Sequence, residues 1–292
     1  MSGRRVLVGL IGANIMQSLS PALHADAFAA AGIDGYQHLI DIDRLAEKRL
    51  PQLLVAVKAA GFAGTNVTFP FKQAVMPLLD AVDDEAAQIG AVNTVTIAAD
   101  GRTTGYNTDR RGFRRSFEEK RGRAAQGATV VLIGAGGAGR AVAFALMDLG
   151  VAALIVHDKD AVRANALVAD LAKHFGAARS RPVGALERDV ANAGGVVNAT
   201  PVGMRGIPGN PVPAAALHAG QWAADVIYTP IETDFLRTAA AKGARVLDGG
   251  GMCVHQAAEA FRLFTGIDPD VARMQRAFMK ALAMRETAAE PI

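Results

Sequence analysis

The chain has 292 residues, of which 51% are hydrophobic and 20% are charged, and its formal net charge is +3. This length and composition favour an α/β enzyme of two domains and exclude an intrinsically disordered protein. Because the net charge is small and no apolar run approaches the length of a membrane helix, we expect neither a nucleic-acid partner nor a membrane.

Basic residues, the single cysteine and the first residues bear on partners and compartment. Lysines and arginines are scattered along the chain apart from one cluster between residues 110 and 123. We interpret this cluster as a solvated helix face and loop, with nucleic-acid binding as the less favoured alternative. Cys253 alone excludes an internal disulfide and a cysteine-based metal cluster, so we expect no metal and a cytoplasmic location. Residues 4–16 have the outline of a signal peptide, but Asn14 and two glycines interrupt them, which favours a strand and a turn.

The first half of the chain predicts alternating strands and helices. The elements are, in order, strand 5–11, a helix from Ser20 to about Gly32, strand 36–42, helix 45–60, strand 91–97 and helix 110–120. Within the first helix, Ser20 suits the N-cap and Pro21 the first helical position.

One strand end in this half carries several polar side chains. Alternation places Val67 and Phe69 on one face of a strand and Asn66 and Thr68 on the other, and we expect Lys72 to open the next helix. Because α/β sheets bind ligands at the carboxyl ends of their strands, Asn66, Thr68 and Lys72 are predicted to meet at such a site.

The polar residues of this half also have structural interpretations. These are helix caps for Ser18, Ser20 and Asp109, a surface position for Lys72, and backbone partners for Asn66 and Asn93. Taken together, the set suits a polyhydroxylated acid: hydroxyls for a carboxylate, amides and a threonine for ring hydroxyls, and a lysine beside an aspartate for proton transfer at an alcohol.

A glycine-rich loop opens the second half, between an apolar strand at 130–133 and a helix at 141–147. Gly134, Gly136 and Gly139 have the G-x-G-x-x-G spacing, which serves a tight turn, the approach of a pyrophosphate and the packing of helix on strand. The helix N-terminus presents unpaired N–H groups to the phosphates. The alternative is a strand–helix turn without a ligand. The predicted cofactor-binding residues of the loop are Gly134, Ala135, Gly136, Gly137, Ala138 and Gly139.

Asp158 favours NAD as the dinucleotide. It follows an apolar run, residues 153–157, and lies nineteen residues after Gly139, where dinucleotide folds place the acid that binds the ribose diol. A carboxylate at this point repels the 2′-phosphate of NADP. We therefore predict NAD, while Lys159 and Arg163 leave some room for NADP as the less favoured cofactor.

The remaining elements extend a doubly wound parallel sheet over about residues 128–248. They are strand 195–197, a loop over the cofactor at 198–201, strand 225–228 with Tyr228 at its end, strand 245–248 and helix 252–264. Helical spacing places Met252, Gln256 and Glu259 near one face of the last helix and leaves Ala257, Phe261 and Phe264 for packing.

In nearly its whole length the chain resembles the shikimate/quinate dehydrogenase family. The matching stretches are residues 18–21, 66–72, 90–94, 105–109, the glycine loop, 198–201, 225–228, 248–249 and 256–258, of which the Asn-Val-Thr-x-Pro-x-Lys run at 66–72 is the most specific. The resemblance implies an α/β fold with an N-terminal substrate domain, a Rossmann-type doubly wound parallel sheet and a cleft between them. The implied domains are residues 1–109, with 252–292 packing back on them, and an NAD-binding domain at 110–251.

The resemblance also implies roles for single residues. Lys72 matches the acid/base of the family, and Asp109 its partner at the same hydroxyl. Ser18 and Ser20 are implied to hold the carboxylate, and Asn66 to support the strand end or contact a further hydroxyl. The other implied contacts are Thr68, Asn93, Tyr228 and Gln256 for the substrate, and Thr200, Val226, Gly249 and Met252 for the cofactor.

The leading hypothesis is an NAD-dependent dehydrogenase that acts on shikimate, quinate or a close analogue as a monomer or homodimer. The acid at Asp158, together with residues 251–256, resembles the branch of the family that oxidises both acids. The alternatives are an NADP-dependent biosynthetic or aminoshikimate-type enzyme, and a non-catalytic quinate sensor. The Lys72 and Asp109 pair discriminates against the sensor, which has no chemical need for it.

Overall fold

The computed structural model describes residues 4–46 and 49–289. They form two compact units: one runs to Thr108 and resumes at Val254, and the other is Asp109–Cys253. Parts of two predictions lie outside the described residues, namely Glu47 and Lys48 of the predicted helix 45–60, and residues 1–3 and 290–292 of the predicted substrate domain.

The first unit is built on a mixed sheet of six strands. Its strands are β1 (Arg5–Gly12), β2 (Asp34–Asp41), β3 (Gly64–Val67), β4 (Ala81–Val82), β5 (Thr94–Ile97) and β6 (Thr103–Tyr106), and its first helices are α1 (Ser20–Ala30), α2 (Leu50–Ala59) and α3 (Asp84–Ile89). The strand order is β2-β1-β3-β5-β6-β4. β1 runs parallel to β2 and β3, whereas β5 is antiparallel to β3 and β6.

Most residues of the inner strands β1 and β3 are buried, as in a sheet that helices cover. Ile11 of β1 and Val67 of β3 are buried with Leu54 and Val57 of α2 in one hydrophobic cluster. The strand ends therefore hold rigid positions, to which the polar residues of the unit are attached.

Two local predictions in the first unit are wrong. The N-cap of α1 is Leu19, and Ser20 is already helical, because its hydroxyl donates to Oε1 of Gln37 (2.7 Å) instead of capping the helix. Lys72 opens no α-helix: it lies in a turn before the short 3₁₀ helix Met76–Leu78.

Element boundaries also differ from the predictions. β3 ends at Val67, so the alternation does not reach Phe69, whose side chain is 65% exposed. α2 begins at Leu50 and not at the predicted residue 45, with Pro51 in its first turn, and the short 3₁₀ helix Ile42–Arg44 begins at the last residue of the predicted strand 36–42.

The second unit contains a six-stranded sheet in which all strands are parallel. Its strands are β7 (Thr129–Ile133), β8 (Ala153–His157), β9 (Ser180–Pro182), β10 (Gly195–Asn198), β11 (Trp222–Asp225) and β12 (Arg245–Leu247), and its helices are α4 (Asp109–Arg121), α5 (Gly137–Asp148), α6 (Ala161–Phe175), α7 (Leu186–Ala191) and α8 (Asp234–Ala241). The order is β12-β11-β10-β7-β8-β9. Because the order reverses between β7 and β10, the ligand site of a doubly wound sheet is expected at their carboxyl ends.

Large aromatic side chains fill the core of the second unit. Trp222 is 2% exposed and contacts Phe117 edge to face, with 4.7 Å between ring centroids. Gly195 is required beside it, because a Cβ there would overlap the indole ring. α5 is buried along most of its length, which fixes the glycine loop that precedes it.

Two helices complete the chain, α9 (Gly250–Thr265) and α10 (Val271–Ala289). The predicted packing residues of α9, Ala257, Phe261 and Phe264, are buried. Within residues 4–46 and 49–289, no helix is long and apolar enough to cross a membrane, and no cluster of His, Cys, Asp or Glu could hold a metal ion.

Candidate active site

Two glycines of the loop after β7 pack tightly against the neighbouring backbone, and a third faces open space. Gly134 has φ +103°, and a Cβ there would lie 2.7 Å from the carbonyl oxygen of Ala199. A Cβ on Gly139 would overlap the carbonyl oxygen of Gly134, whereas one on Gly136 would meet nothing within 4 Å. Two glycines are therefore required by the fold, and the third faces open space that a ligand can approach.

Asp158 lies against this loop, as its spacing predicted. Its Oδ2 accepts a hydrogen bond from the backbone N–H of Ala135 (2.7 Å), and its Oδ1 accepts from the N–H of Asp160 (2.9 Å). Gly136 is the N-cap of α5, so the N-terminal N–H groups of that helix and the Asp158 carboxylate belong to one site. A dinucleotide fits this arrangement, with its pyrophosphate at the helix end and its ribose at the acid.

A buried polar network holds the ends of β10 and β11. Oδ1 of Asn198 accepts from the N–H and the hydroxyl of Thr200 (3.0 and 2.7 Å), and Nδ2 of Asn198 donates to both oxygens of Asp225 (3.1 and 3.2 Å). Asp225 also accepts from the N–H of Ile227 (3.0 Å) and the hydroxyl of Thr233 (2.8 Å). The network fixes Thr200, a predicted cofactor contact, and the start of the segment that carries Tyr228.

Asp225 has an unusual acidity. Burial raises the pKa of its carboxyl group to about 6, although the hydrogen bonds from Ile227, Thr233 and Asn198 oppose the change. The predicted strand 225–228 is wrong, because β11 ends at Asp225, and Tyr228 is half-buried in the loop that follows. Asn198 and Asp225 were not among the predicted site residues. The available signal was the position of both polar residues at the carboxyl ends of apolar strands.

Gly249, a predicted cofactor contact that follows β12, packs against another predicted contact, Val226. A Cβ on Gly249 would overlap the carbonyl oxygen of Val226, and the N–H of Gly249 donates to the oxygen of Ile227 (3.2 Å). Met252 lies in the first turn of α9 and is 7% exposed. Gly249 is therefore required by close contact with the neighbouring loop.

In the first unit, one chain of hydrogen bonds connects three of the predicted substrate residues, Ser20, Asn66 and Asn93. Ser20 leads to Gln37, which donates from Nε2 to Oδ1 of Asn66 (3.0 Å). Asn66 donates from Nδ2 to the hydroxyl of Thr94 (3.0 Å), which donates to Oδ1 of Asn93 (3.1 Å). All five side chains are buried. Gln37 and Thr94 were not predicted to belong to the site.

The chain of hydrogen bonds continues to α9. Asn93 donates from Nδ2 to the hydroxyl of Thr108 (2.9 Å) and accepts from its N–H (2.8 Å). The hydroxyl of Thr108 donates to Oε1 of Gln256 at 3.5 Å. Ser18 lies at the other end, where its Oγ accepts from the N–H of Ser20 (3.2 Å). Residues far apart in sequence are thus held in one polar network.

The backbone fixes Lys72 and Thr68 near the end of β3. The N–H of Thr68 donates to the oxygen of Ile11 (2.9 Å), and the oxygen of Lys72 accepts from the N–H of Val92 (2.7 Å). Asp109 directly follows Thr108 and begins α4, with 4% of its surface exposed. Each residue is therefore anchored within its own unit by the strands and helices beside it.

Comparisons with known proteins match both ends of the chain to one family. The model of the shikimate dehydrogenase substrate binding domain matches residues 10–95, and that of the shikimate 5′-dehydrogenase C-terminal domain matches residues 249–277. A quinate/shikimate dehydrogenase (NAD(+)) of Corynebacterium efficiens is 46% identical over 283 residues, which cover 96% of this chain and 99% of the relative. The chain belongs to the shikimate dehydrogenase family.

Other family members differ in the cofactor that they are named for. The shikimate dehydrogenase (NADP(+)) of Streptomyces avermitilis is 48% identical over 273 residues, covering 92% of this chain and 93% of that protein. The structure of quinate dehydrogenase from Corynebacterium glutamicum in complex with NAD superposes with a TM-score of 0.87 and 45% identity, covering 95% of this chain and 100% of that one.

These findings confirm the predicted family and the predicted α/β fold class of this shikimate dehydrogenase family member. The glycine loop and Asp158 lie outside the residues that the two family models match. For this region, the observed geometry of the loop and of Asp158 supports a dinucleotide site. The roles of the individual site residues stay predictions.

Proposed function

We propose that this chain is an NAD-dependent oxidoreductase that transfers a hydride reversibly between NAD and the secondary alcohol of shikimate or quinate, with 3-dehydroshikimate or 3-dehydroquinate as the ketone. The names of the Corynebacterium relatives support the reaction and the cofactor. The observation that carries the choice of NAD is the hydrogen bond from Ala135 to the carboxylate of Asp158, which holds an acid at the predicted ribose position.

The second unit supplies the cofactor contacts in this proposal. The predicted contacts are the loop residues Gly134, Ala135, Gly136, Gly137, Ala138 and Gly139, with Asp158, Thr200, Val226, Gly249 and Met252. When bound, NAD accepts the hydride from the alcohol carbon. Asp158 presents its remaining lone pairs to the ribose diol and disfavours a phosphate there. Arg163 could favour NADP through its positive charge. Its Nε lies 3.4 Å from Oδ2 of Asp160, and this ion pair offsets part of the charge of Arg163.

The first unit and the adjoining Asp109 supply the proton chemistry and substrate contacts. Oxidation of an alcohol removes a proton from oxygen as the hydride leaves carbon, so a positioned base must accept that proton. We assign this role to Lys72, and assign to Asp109 the orientation of the same hydroxyl. Ser18 and Ser20 bind the carboxylate. The proposed contacts to the ring substituents or the carboxylate are Thr68, Asn93, Gln256 and, from the second unit, Tyr228. Asn66 is proposed to support the strand end or to contact a further hydroxyl.

A panel of substrates and cofactors tests the proposal. The purified protein is mixed with quinate or shikimate, each with NAD or NADP, and formation of the reduced nicotinamide is followed by absorbance. We expect reduction of NAD with at least one acid. Reduction of NADP alone would support the biosynthetic type of enzyme, and binding of an acid without reduction of either cofactor would support a sensor. Either result contradicts the proposal.

The assignment of Lys72 is tested by replacing it. Lys72→Met should lower kcat by about 10²- to 10⁴-fold, the usual contribution of general acid–base catalysis, while calorimetry should still detect binding of shikimate. Lys58→Met is the matched control, since Lys58 is an exposed lysine of α2 in the same unit. Turnover that survives in Lys72→Met would show that another group accepts the proton.

A further inference from the structure

Gln37 is a buried amide on an edge strand. It lies on β2, which pairs only with β1 in the described sheet, and it is 3% exposed between the exposed residues Tyr36 and His38. A buried primary amide is costly unless its donors and acceptor are hydrogen-bonded. The hydrogen bonds of Gln37 therefore have to compensate for the cost of burying its amide.

Both ends of the Gln37 amide contact residues of the proposed substrate site. Oε1 accepts from the hydroxyl of Ser20 (2.7 Å), and Nε2 donates to Oδ1 of Asn66 (3.0 Å) with a longer contact to the oxygen of Gly9 (3.5 Å). Gln37 thus connects the residue proposed for the carboxylate to a residue proposed for the ring. Ser20 lies 17 positions before Gln37 in sequence, and Asn66 lies 29 positions after it.

The direction of these hydrogen bonds has a chemical consequence. A hydroxyl has one proton, and in this arrangement Ser20 donates it to Gln37, so that Ser20 has no proton to donate to a carboxylate. Ser18 differs, because its Oγ accepts from the N–H of Ser20 and its own proton is not used in that bond. If Ser20 donates to the substrate instead, Oε1 of Gln37 loses this donor, and the Ser20–Gln37 hydrogen bond is kept only when the Gln37 amide turns over so that Nε2 donates to Ser20.

The neighbouring amide can turn with Gln37 and keep the hydrogen bonds that connect Ser20, Gln37, Asn66 and Thr94. If both amides turn, Nε2 of Gln37 donates to Ser20, Oε1 of Gln37 accepts from Nδ2 of Asn66, and Oδ1 of Asn66 accepts from the hydroxyl of Thr94. Asn93 then loses the bond from Thr94 but still accepts from the N–H of Thr108 (2.8 Å). An amide presents oxygen and nitrogen in nearly the same shape, so the heavy atoms keep their places.

The two directions are unequal in energy. The arrangement in the structure keeps two long contacts, from Gln37 to the oxygen of Gly9 (3.5 Å) and from Asn66 to the oxygen of Asn93 (3.4 Å). Turning the amides places oxygen against oxygen at both contacts. The turned direction is thus favoured only when an acceptor, such as a carboxylate, binds to the hydroxyl of Ser20.

We propose that Gln37 is a positioning residue that couples recognition of the substrate carboxylate at Ser20 to recognition of the ring at Asn66, through reversal of the Gln37–Asn66 amide pair. The inference rests on the proposed function, because it takes the substrate to be a hydroxylated acid. Gln37 acts through its two neighbours. Its replacement should change the KM for the acid and leave the KM for NAD unchanged.

Two substitutions test the coupling. Gln37→Met removes the donor and the acceptor at similar volume and should raise the KM for shikimate or quinate by about tenfold, the effect of losing about one hydrogen bond. Gln37→Glu keeps the acceptor, cannot donate to Ser20 when ionised, and adds a negative charge near the carboxylate site. Its KM for the acid should exceed that of Gln37→Met at pH 8 and fall as the pH is lowered, because a protonated Glu regains a donor.

A matched control and a double-mutant cycle separate positioning from general destabilisation. Gln221→Met removes an equally buried glutamine of the second unit, which donates to the oxygen of Val190 (2.6 Å), and should lower stability without changing the KM for the acid. In a Ser20→Ala background, Gln37→Met should have less effect than in the wild type, since the proposed route passes through Ser20.

The outcomes distinguish this inference from the proposed function. A wild-type protein that oxidises neither acid overturns the proposed function. An active wild type with an unchanged KM for the acid in Gln37→Met and Gln37→Glu overturns the coupling, as does an equal rise in the KM for acid and NAD. If Gln37→Met does not fold, the pH dependence of the KM in Gln37→Glu decides alone, and a constant ratio to the wild type contradicts the inference.

Discussion

His24 should make the first unit sensitive to acid. The imidazole of His24 on α1 is 0% exposed and packs among Phe28, Phe261 and Phe264, with ring centroids 6.0 to 6.2 Å away. Neither ring nitrogen has a hydrogen-bond partner among the residues that the structure describes. Burial without a polar partner lowers the pKa of His24 from 6.5 to about 4.

The size of the effect follows from the two pKa values of His24. Between pH 6.5 and pH 4 the unfolded chain binds a proton that the folded chain does not, so stability falls as the pH falls. Each pH unit changes the free energy of unfolding by about 1.4 kcal/mol, which gives a loss of about 3 kcal/mol at pH 4 relative to pH 7. His24→Leu removes this loss, and by removing two buried nitrogens without partners it should also stabilise the unit by about 1 to 2 kcal/mol at pH 7.

Amide hydrogen exchange of α1 is the suitable assay. The single tryptophan, Trp222, lies in the second unit, so its fluorescence does not report on His24. The exchange rates of the Ser20–Ala30 amides in the wild type and in His24→Leu are compared at each pH from 7 to 4. Because both proteins are measured at the same pH, the intrinsic exchange rate cancels from their ratio. The advantage of His24→Leu should grow by about 3 kcal/mol toward pH 4.

His38→Leu is the control, since His38 is an exposed histidine on β2 of the same unit. It should show no such growth. A constant advantage of His24→Leu between pH 7 and pH 4 would refute the reasoning, because it would mean that folding does not exclude the proton from His24.

Three further predictions concern the second unit. Asp158→Ala should raise the KM for NAD far more than that for NADP, and equal losses would remove the argument from the ribose diol. Gly136→Ala should preserve the thermal unfolding temperature but weaken NAD binding in a fluorescence titration, whereas Gly139→Ala should destabilise the fold, because its Cβ would overlap a carbonyl oxygen; the reverse pattern would contradict the proposed pyrophosphate position. Because burial raises the pKa of Asp225 from 3.8 to about 6, the stability that urea denaturation reports through Trp222 fluorescence should fall by about 2 kcal/mol as the pH rises from 3.8 to 6, and Asp225→Asn should remove this fall.

The sequence predicted those features that depend on local spacing. The glycine loop, its flanking strand and helix, and the acid at Asp158 all lie where the G-x-G-x-x-G pattern indicates, because neighbouring residues determine this turn. The errors arise where a distant contact decides. The hydroxyl of Ser20 has the chemistry of an N-cap, yet it bonds to Gln37 on another strand.

The site residues also fall into two groups, those that a local motif predicts and those whose position depends on distant contacts. A side chain proposed to face a ligand is recognisable from a motif, since Lys72 and Asn66 share one short run of sequence. Gln37 has no such signal: a glutamine between Tyr36 and His38 looks like a solvated strand residue, and only the pairing of β2 with β1 and the position of α1 bury it. Asn198 and Asp225 lie at the carboxyl ends of apolar strands, but they are 27 positions apart, and only the structure shows that they bond to each other. Residues that act through others are therefore the ones that required the structure, because their partners are set by tertiary contacts between sequence-distant segments.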